Sequence, residues 1–181
     1  MAFGLFKKKK KDKQLIDPTQ VQINQLTKGA FIDYNLESWE VTAVYEYDWG
    51  DGFFSDEFQL RSADEICYLS VEEDDGYECT ITKKISVHEI DGEIAKHVLR
   101  EEEPPMKVNY EGVTYYRQSE AVGYFRDKSK SEKHWSELVS WTYYDKAKEL
   151  TLSIEQWGEK EFEAAQGRVV EEFEFSNILI P

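Results

Sequence analysis

Cysteine, proline and long apolar runs are scarce in this chain of 181 residues, which contains 2 Cys and 4 Pro. Two cysteines in a chain of this length do not make a disulfide framework. We therefore expect Cys67 and Cys79 to be buried free thiols on the apolar faces of strands. No apolar run approaches the roughly 18 residues that a transmembrane helix requires, so no such helix is predicted.

Basic residues are also few, and they are unevenly placed. The chain has 22 Lys and Arg against 37 Asp and Glu, a net charge of -15. Six of the lysines lie within residues 1–13, so the rest of the chain is strongly acidic. Because phosphate binding needs a basic face, we exclude nucleic acid as a partner of this acidic body.

Motifs that would indicate a reaction are missing as well. The sequence has no glycine-rich phosphate loop and no nucleophile elbow, and the acidic turns near Asp48 and Glu72 lack the spacing of an EF-hand loop. The three histidines, His88, His97 and His134, stand in no catalytic context. We therefore predict no catalytic residue, no cofactor and no metal ligand.

Aromatic residues and alternating patterns are abundant. The chain contains 11 Tyr, 10 Phe and 5 Trp, a composition that favours strands. From residue 30 onward apolar and polar residues alternate, and glycine-containing clusters at 48–52 and 73–76 predict hairpin turns. We predict a strand at 85–90, and two separate strands within 113–126. The pattern as a whole predicts an all-β, antiparallel fold.

The strongest pattern is an internal repeat. The string YLSVE at 68–72 returns as TLSIE at 151–155, and each is followed by a glycine, Gly76 or Gly158. Upstream, SDEFQL at 55–60 is matched by WSEL at 135–138. Such self-similarity predicts an internal duplication. The repeated residues are Glu57, Leu69 and Glu72 in the first copy, and Trp135, Glu137, Leu152 and Glu155 in the second.

We interpret these repeated residues as structural, because duplicated positions usually keep the same structural role. Glu57 and Glu137 are expected to occupy equivalent places, each paired with a backbone donor or a basic side chain. A general acid–base pair is the alternative, since two carboxylates can do such work when one stays protonated. The tryptophans at 49, 135, 141 and 157 are expected to pack in the core, with a ligand cleft as the alternative.

The predicted domain organisation has four parts. Residues 1–17 form a basic, disordered tail. Residues 18–91 form a first β module, and residues 92–106 form an acidic, proline-containing linker with a short helix. Residues 107–181 form a second β module. We thus predict two similar antiparallel β meander modules that pack together.

The paired strings SDEFQL with YLSVE, and WSEL with LSIE, resemble an uncharacterised bacterial family called domain of unknown function 4178. The resemblance covers residues 27–176 as two tandem copies. The first copy departs from the family pattern in having Ser55 where Trp is expected, and the second lacks the aromatic residue before Leu152. The resemblance implies no activity and no cofactor. It does imply an association with membrane-stress and membrane-remodelling proteins.

The amino terminus combines aromatic and basic residues, which suits an anionic membrane surface. Its apolar residues precede the lysines, the reverse of a secretory signal, so we expect a cytoplasmic protein. A solubilising tail without membrane contact is the alternative. The candidate membrane-contact residues are Phe3, Leu5, Phe6, Lys7, Lys8, Lys9, Lys10 and Lys11.

These patterns favour a non-catalytic interaction or adaptor protein that binds a protein partner and lies peripherally at the cytoplasmic membrane face. The alternative is a small-ligand-binding or hydrolytic domain with its site in the cleft between the modules. A deep pocket would favour this alternative if Glu137, Trp135 or Trp157 converged on it and if it contained a carboxylate with a strongly shifted pKa.

Overall fold

The computed structural model describes residues 21–73, 76–130 and 134–181. The regular structure of this part of the chain is antiparallel strand with one short α-helix, which confirms the all-β prediction. The strands are β1 (Phe31–Tyr34), β2 (Glu37–Asp48), β3 (Phe54–Arg61), β4 (Ile66–Glu73), β5 (Tyr77–Ile85), β6 (Lys107–Tyr110), β7 (Val113–Asp127), β8 (Ser136–Tyr144), β9 (Leu150–Trp157), β10 (Glu161–Val170) and β11 (Phe175–Leu179). The helix α1 (Ile94–Glu101) lies between β5 and β6.

All the strands belong to one sheet, in the order β11-β1-β2-β3-β4-β5-β10-β9-β8-β7-β6. A further pairing of β2 with β7 brings this sheet back onto itself, with Tyr45 opposite Asp127 and Asp48 opposite Tyr124. The strands β2 to β5 and β7 to β10 therefore form a closed ring, which protects their edges from water and from other chains.

Each half of the chain begins with a short hairpin. Asn35 and Leu36 join β1 to β2, and Glu111 and Gly112 join β6 to β7. All four residues have positive φ, which two-residue hairpin loops of this twist require. Three more strands follow each hairpin in meander order, so the halves share a strand order within one continuous sheet. Their origin by duplication stays a prediction.

Apolar side chains on the outer face of the ring form two separate cores. The first core contains Leu60 and Leu69, and residues of β1 and β11 such as Ile32 and Phe175 pack on it. Cys67 and Cys79 belong to this first core as buried free thiols, as predicted.

The second core lies on the other half of the chain. It contains Trp141 and Leu152, and α1 packs on it through Ile94 and Val98. Each core arises because successive side chains of a strand point to opposite faces, so one face of each strand can be apolar throughout. Across the described ranges, no helix is long and apolar enough to cross a bilayer.

Two expectations about strand boundaries are wrong. β5 ends at Ile85, and a single-turn 3-10 helix (Val87–Glu89) replaces the strand predicted at 85–90. A capping box closes this turn, because the Ser86 side chain accepts a bond from the His88 backbone and Glu89 Oε2 accepts one from the Ser86 backbone. The two strands predicted within 113–126 are one strand, β7, which continues through an irregularity after Arg117.

Candidate functional site

A pocket of about 510 Å³ lies inside the closed ring of strands. Every strand of the ring lines it, because the alternate residues that do not face the outer cores face inward. On β4, Tyr68 and Ser70 line the pocket, whereas Leu69 and Val71 are buried in the first core. A pocket of this size suits a small molecule.

The lining of the pocket is acidic. Within the described part of the chain, seven carboxylates and two lysines line it. The carboxylates are Glu57, Glu72, Glu78, Asp127, Glu155, Glu161 and Glu163, and the lysines are Lys84 and Lys130. Small hydroxyl side chains fill much of the remaining wall, such as those of Ser140, Thr142 and Ser153.

Glu57 lies on β3 and is held by two hydroxyl groups. Ser70 Oγ donates to Glu57 Oε2 at 3.2 Å, and Tyr47 Oη donates to Glu57 Oε1 at 3.3 Å. Burial raises the pKa of Glu57 to about 7, and these two hydrogen bonds with the charge of Lys84 oppose that rise only in part. Near neutral pH this carboxyl group is therefore poised between its two protonation states.

Glu155 lies on β9 and is perturbed further. Burial raises its pKa to about 8, and the negative charges of Glu57 and Glu163 add to the effect. The indole of Trp157 lies close enough to oppose this rise. Yet Trp157 Nε1 is buried and makes no hydrogen bond of ordinary geometry with the described residues. The pocket thus contains a shifted carboxyl group beside an unsatisfied N–H donor.

Lys84 on β5 already forms an ion pair with a carboxylate. Its Nζ donates to Glu163 Oε2 at 2.5 Å across the β5–β10 pairing, and it lies 5.4 Å from the centre of the Tyr68 ring. Burial is the largest single effect on Lys84 and lowers its pKa, but the hydrogen bond to Glu163 and the negative charges of Glu163 and Glu57 together outweigh burial and raise the pKa of the amine. Glu57 and Glu155, by contrast, form no ion pair with any described residue.

Aromatic side chains form a wall of the same pocket near the pairing of β2 with β7. This aromatic wall consists of Tyr45, Tyr47, Trp49 and Phe125, together with Trp157 from β9. Tyr47 stacks on Trp49 with ring centres 5.3 Å apart, and Phe125 meets the Trp157 ring edge-on at 5.1 Å and 87°. Tyr47 and Phe125 join the two pairs, also edge to face. Both halves of the chain therefore contribute to the wall.

Gly123 on β7 makes room for this wall. A Cβ atom at that position would lie 2.6 Å from Trp49 Cε3 and 2.9 Å from the Asp48 carbonyl oxygen, closer than atoms can approach. Only glycine lets Trp49 pack against β7 at the end of the pocket. Trp49 Nε1 also donates to Ser55 Oγ at 2.9 Å, which fixes its ring.

The structure separates the repeated residues that the sequence grouped together. Glu57 and Glu155 line the pocket, and so does Glu72, which is largely exposed. Leu69 and Leu152 are fully buried in the two cores. Trp135 and Glu137 do not line the pocket: Glu137 is exposed, and the Arg126 guanidinium lies 4.7 Å from the centre of the Trp135 ring.

Glu57 and Glu137 are not in equivalent positions, contrary to expectation. Glu57 lies opposite Ser70, and the matching serine of the second half, Ser153, lies opposite Thr142. The partners of Glu57 are hydroxyl groups, where a backbone donor or a basic side chain was expected. Of the tryptophans, Trp141 packs in the core, whereas Trp49 and Trp157 line the pocket.

The sequence predicts a ligand pocket only as the alternative and does not place Glu155 in it, although a signal for the pocket walls is present. The polar faces of β4 and β9, which alternate with their apolar faces, are the pocket walls, and Ser153 and Glu155 belong to them. The candidate membrane-contact residues, from Phe3 to Lys11, lie outside the described residues.

Comparisons with known proteins place the chain in a family. A protein of Aquifex aeolicus (strain VF5), itself named only as an uncharacterized protein, is 30% identical over 173 residues, which cover 94% of this chain and 92% of that protein. No solved structure matches the chain. A family model matches residues 27–172 once, through both halves, so the expected two tandem copies are not shown. The chain belongs to the family described as Domain of unknown function (DUF4178).

Proposed function

We propose that this protein binds a small molecule, and that the pocket inside the ring of strands is its binding site. The observation that carries this proposal is the pair of half-buried carboxyl groups that line the pocket, Glu57 and Glu155, which lack an ionic partner among the described residues and lie beside the unsatisfied Trp157 N–H. Buried polar groups of this kind destabilise a fold unless something pairs with them. A ligand would supply that pairing.

The packing of the molecule supports the same proposal. The two outer cores already hold the strands together, so the interior of the ring is not needed as an apolar core. Where a small closed sheet has only a structural role, large apolar side chains usually fill its interior. Here serine and threonine side chains leave about 510 Å³ of space.

Binding is favoured over hydrolysis by the residues that line the pocket. Among the described residues, none of the three histidines lies in its wall, so no serine there has a histidine to activate it. The ligand-site alternative expected Glu137, Trp135 or Trp157 in the pocket. Trp157 does line it, but Glu137 and Trp135 do not, and its perturbed carboxyl groups are those of Glu57 and Glu155.

The adaptor role, the protein partner and the membrane tether remain separate proposals. They rest on the lysine-rich sequence at 7–11 with its neighbouring aromatic residues. A tail that binds an anionic membrane would bring the pocket close to the lipid surface, so the two proposals are compatible.

A ligand screen with a pocket-filling variant tests the small-molecule proposal. In Ser153→Trp a large ring would occupy the pocket, whereas Ser176→Trp places the same ring at an exposed position of β11, outside the ring of strands. A ligand at about 100 times its Kd stabilises a folded protein by about 2.7 kcal/mol. We expect such ligands to raise the Tm of the native protein and of Ser176→Trp, but not that of Ser153→Trp.

Circular dichroism would first confirm that both variants keep their strand content. Ligands that raise the Tm of Ser153→Trp as much as that of the native protein would place their site elsewhere. A diverse library without any pocket-dependent ligand would overturn the proposed function.

A further inference from the structure

We propose that the ligand is an organic cation, an alkylammonium compound that binds through its charged nitrogen at Glu57 and Glu155 and packs its hydrocarbon part on the aromatic wall. This inference rests on the proposed function, because it names the chemical class that the same pocket would take.

The charge of the pocket is the first argument. Both lysines in its wall are already paired with carboxylates, since Lys84 bonds Glu163 and Lys130 Nζ lies 3.1 Å from Asp127 Oδ2. The remaining carboxyl groups make the pocket attractive to cations and repulsive to anions. A neutral ligand would leave the half-buried Glu57 and Glu155 without an ionic partner, which an ammonium group would provide.

The aromatic wall is the second argument. Ammonium groups are attracted to the faces of aromatic rings, and tryptophan gives the strongest such contact. Phe125 and Trp157 meet at 87°, so the wall presents ring faces in more than one direction. An alkylammonium ion can therefore place its charge near the carboxyl groups while its alkyl chain covers ring faces. A bare inorganic cation could not use the apolar half of this site.

The unsatisfied Trp157 N–H is the third argument. It is buried in the wall beside Glu155, whose pKa of about 8 keeps the carboxyl group largely protonated at neutral pH. A bound ammonium ion would favour the ionised form of Glu155. The ionised carboxylate is the stronger acceptor, so the indole N–H could then donate to it. Binding of a cation thereby satisfies a donor that has no partner among the described residues.

A divalent metal ion fits the pocket less well. Among the described residues, no group of three or more His, Cys, Asp or Glu side chains is arranged to hold a metal ion. Calcium and magnesium require six or more oxygen ligands around one centre, including waters. An ammonium ion needs only one or two carboxylates and a ring face.

Proton release is a consequence that can be measured. Because the pKa values of Glu57 and Glu155 are raised to about 7 and about 8, Glu57 is about half protonated and Glu155 largely protonated near neutral pH when no cation is bound. A cation that favours their ionised forms releases these protons to the buffer. Affinity for the cation should therefore rise as the pH increases through this range.

The test uses three probes that share a six-carbon chain and differ in charge: hexylammonium, 1-hexanol and hexanoate. Isothermal titration calorimetry of the full-length protein near neutral pH, in two buffers with different heats of ionisation, measures affinity and proton release together. We expect hexylammonium to bind at least about tenfold more tightly than the other two, which corresponds to one charge-assisted contact. We also expect it to release protons.

Variants assign the binding to the two carboxyl groups. Glu57→Gln and Glu155→Gln should each weaken hexylammonium binding about tenfold and reduce the proton release. The matched control is Glu137→Gln, which removes an exposed carboxylate outside the pocket and should bind like the native protein.

The ammonium inference is overturned if hexanol or hexanoate binds as tightly as hexylammonium, or if none of the three binds. It is also overturned if both pocket variants bind hexylammonium as the native protein does. The probe comparison uses the native protein, so it stands even if a variant fails to fold. If the ligand screen yields neutral or anionic ligands that Ser153→Trp excludes, the small-ligand function survives and only the ligand class is wrong.

Discussion

Glu57 and Glu155 come from different halves of the chain, yet they line one pocket, where the negative charge of Glu57 raises the pKa of Glu155. Each carboxyl group projects from the polar face of a strand whose other face is a hydrophobic core. The pocket is therefore a product of the way the two halves meet, and its electrostatics can be tested through stability as well as through binding.

The first prediction concerns the pH dependence of stability. In the unfolded chain both groups lose their protons near the usual glutamate pKa of 4.5, whereas in the folded protein they keep them up to about 7 and about 8. Between these pH values the folded state binds more protons, so the free energy of unfolding falls as the pH rises. The contribution is fully present below the unfolded pKa and is lost as the pH passes the folded values.

The double variant Glu57→Gln and Glu155→Gln should flatten this dependence. We expect it to gain at least about 2 kcal/mol of stability relative to the native protein between pH about 5 and about 8.5, because each unit by which a carboxyl pKa is raised corresponds to about 1.4 kcal/mol. Urea unfolding over a pH series measures this, with Glu137→Gln as the control. A double variant with the same pH slope as Glu137→Gln would show that the two groups are not perturbed.

The second prediction concerns Gly167, which lies opposite Thr82 where β10 pairs with β5. A Cβ atom there would lie 1.8 Å from the Ile81 carbonyl oxygen, so Gly167→Ala must push the two strands apart. We expect this variant to lose about 3 kcal/mol or more of stability, in the range of severe overpacking. Gly76→Ala is the control, because no atom lies within 4 Å of a Cβ atom at that turn. Equal Tm values for both variants would contradict the close approach of the β5 backbone to Gly167.

The third prediction concerns Leu69 and Leu152, which are both 0% exposed in the two cores. Leu69→Ala and Leu152→Ala should each destabilise the protein by about 2–5 kcal/mol, because each leaves a cavity in an apolar core. Leu99→Ala, at a position 53% exposed, should change stability by less than about 1 kcal/mol. Chemical denaturation compares the three. A small effect at only one of the two core leucines would mean that its core relaxes to fill the cavity.

The fourth prediction concerns the lysine-rich amino terminus. If it is a membrane tether, the full chain should co-sediment with anionic vesicles and a variant without residues 1–13 should not. Each lysine near an anionic surface contributes about 1 kcal/mol, so the binding should weaken as salt is added. Neutral vesicles serve as the control. Equal sedimentation of the two proteins, or of neither, would remove the tether hypothesis.

Local alternation made much of the fold predictable. β4 and β9 follow the alternation around Leu69 and Leu152, because one buried face imposes a period of two. The same alternation wrongly predicts a strand at 85–90. There a local capping box at Ser86 and Glu89 stabilises a turn of 3-10 helix in place of the extended conformation. The pattern predicts two strands in place of β7, because an irregularity after Arg117 interrupts the alternation of apolar and polar residues without ending the strand.

The candidate site was predictable only in part. Repetition drew attention to Glu57 and Glu155, but it assigned both to a structural role and matched Glu57 with Glu137. Strand register decides which residues are equivalent, and that register comes from the pairing of β3 with β4 and of β8 with β9. Sequence offsets between the halves cannot supply it, because loops of different length shift the numbering while the hydrogen-bonded ladders stay intact.

By itself the sequence determined the all-β class, most strand positions, the buried free cysteines and which face of each strand is polar, because each of these depends on residues that are neighbours along a strand. Tertiary structure alone decided that the polar faces turn toward one another. That outcome depends on the pairing of Tyr45 with Asp127 and of Thr82 with Gly167, residues about 80 positions apart. Only this closure partly buries Glu57 and Glu155, and loss of solvation is the largest cause of their raised pKa values.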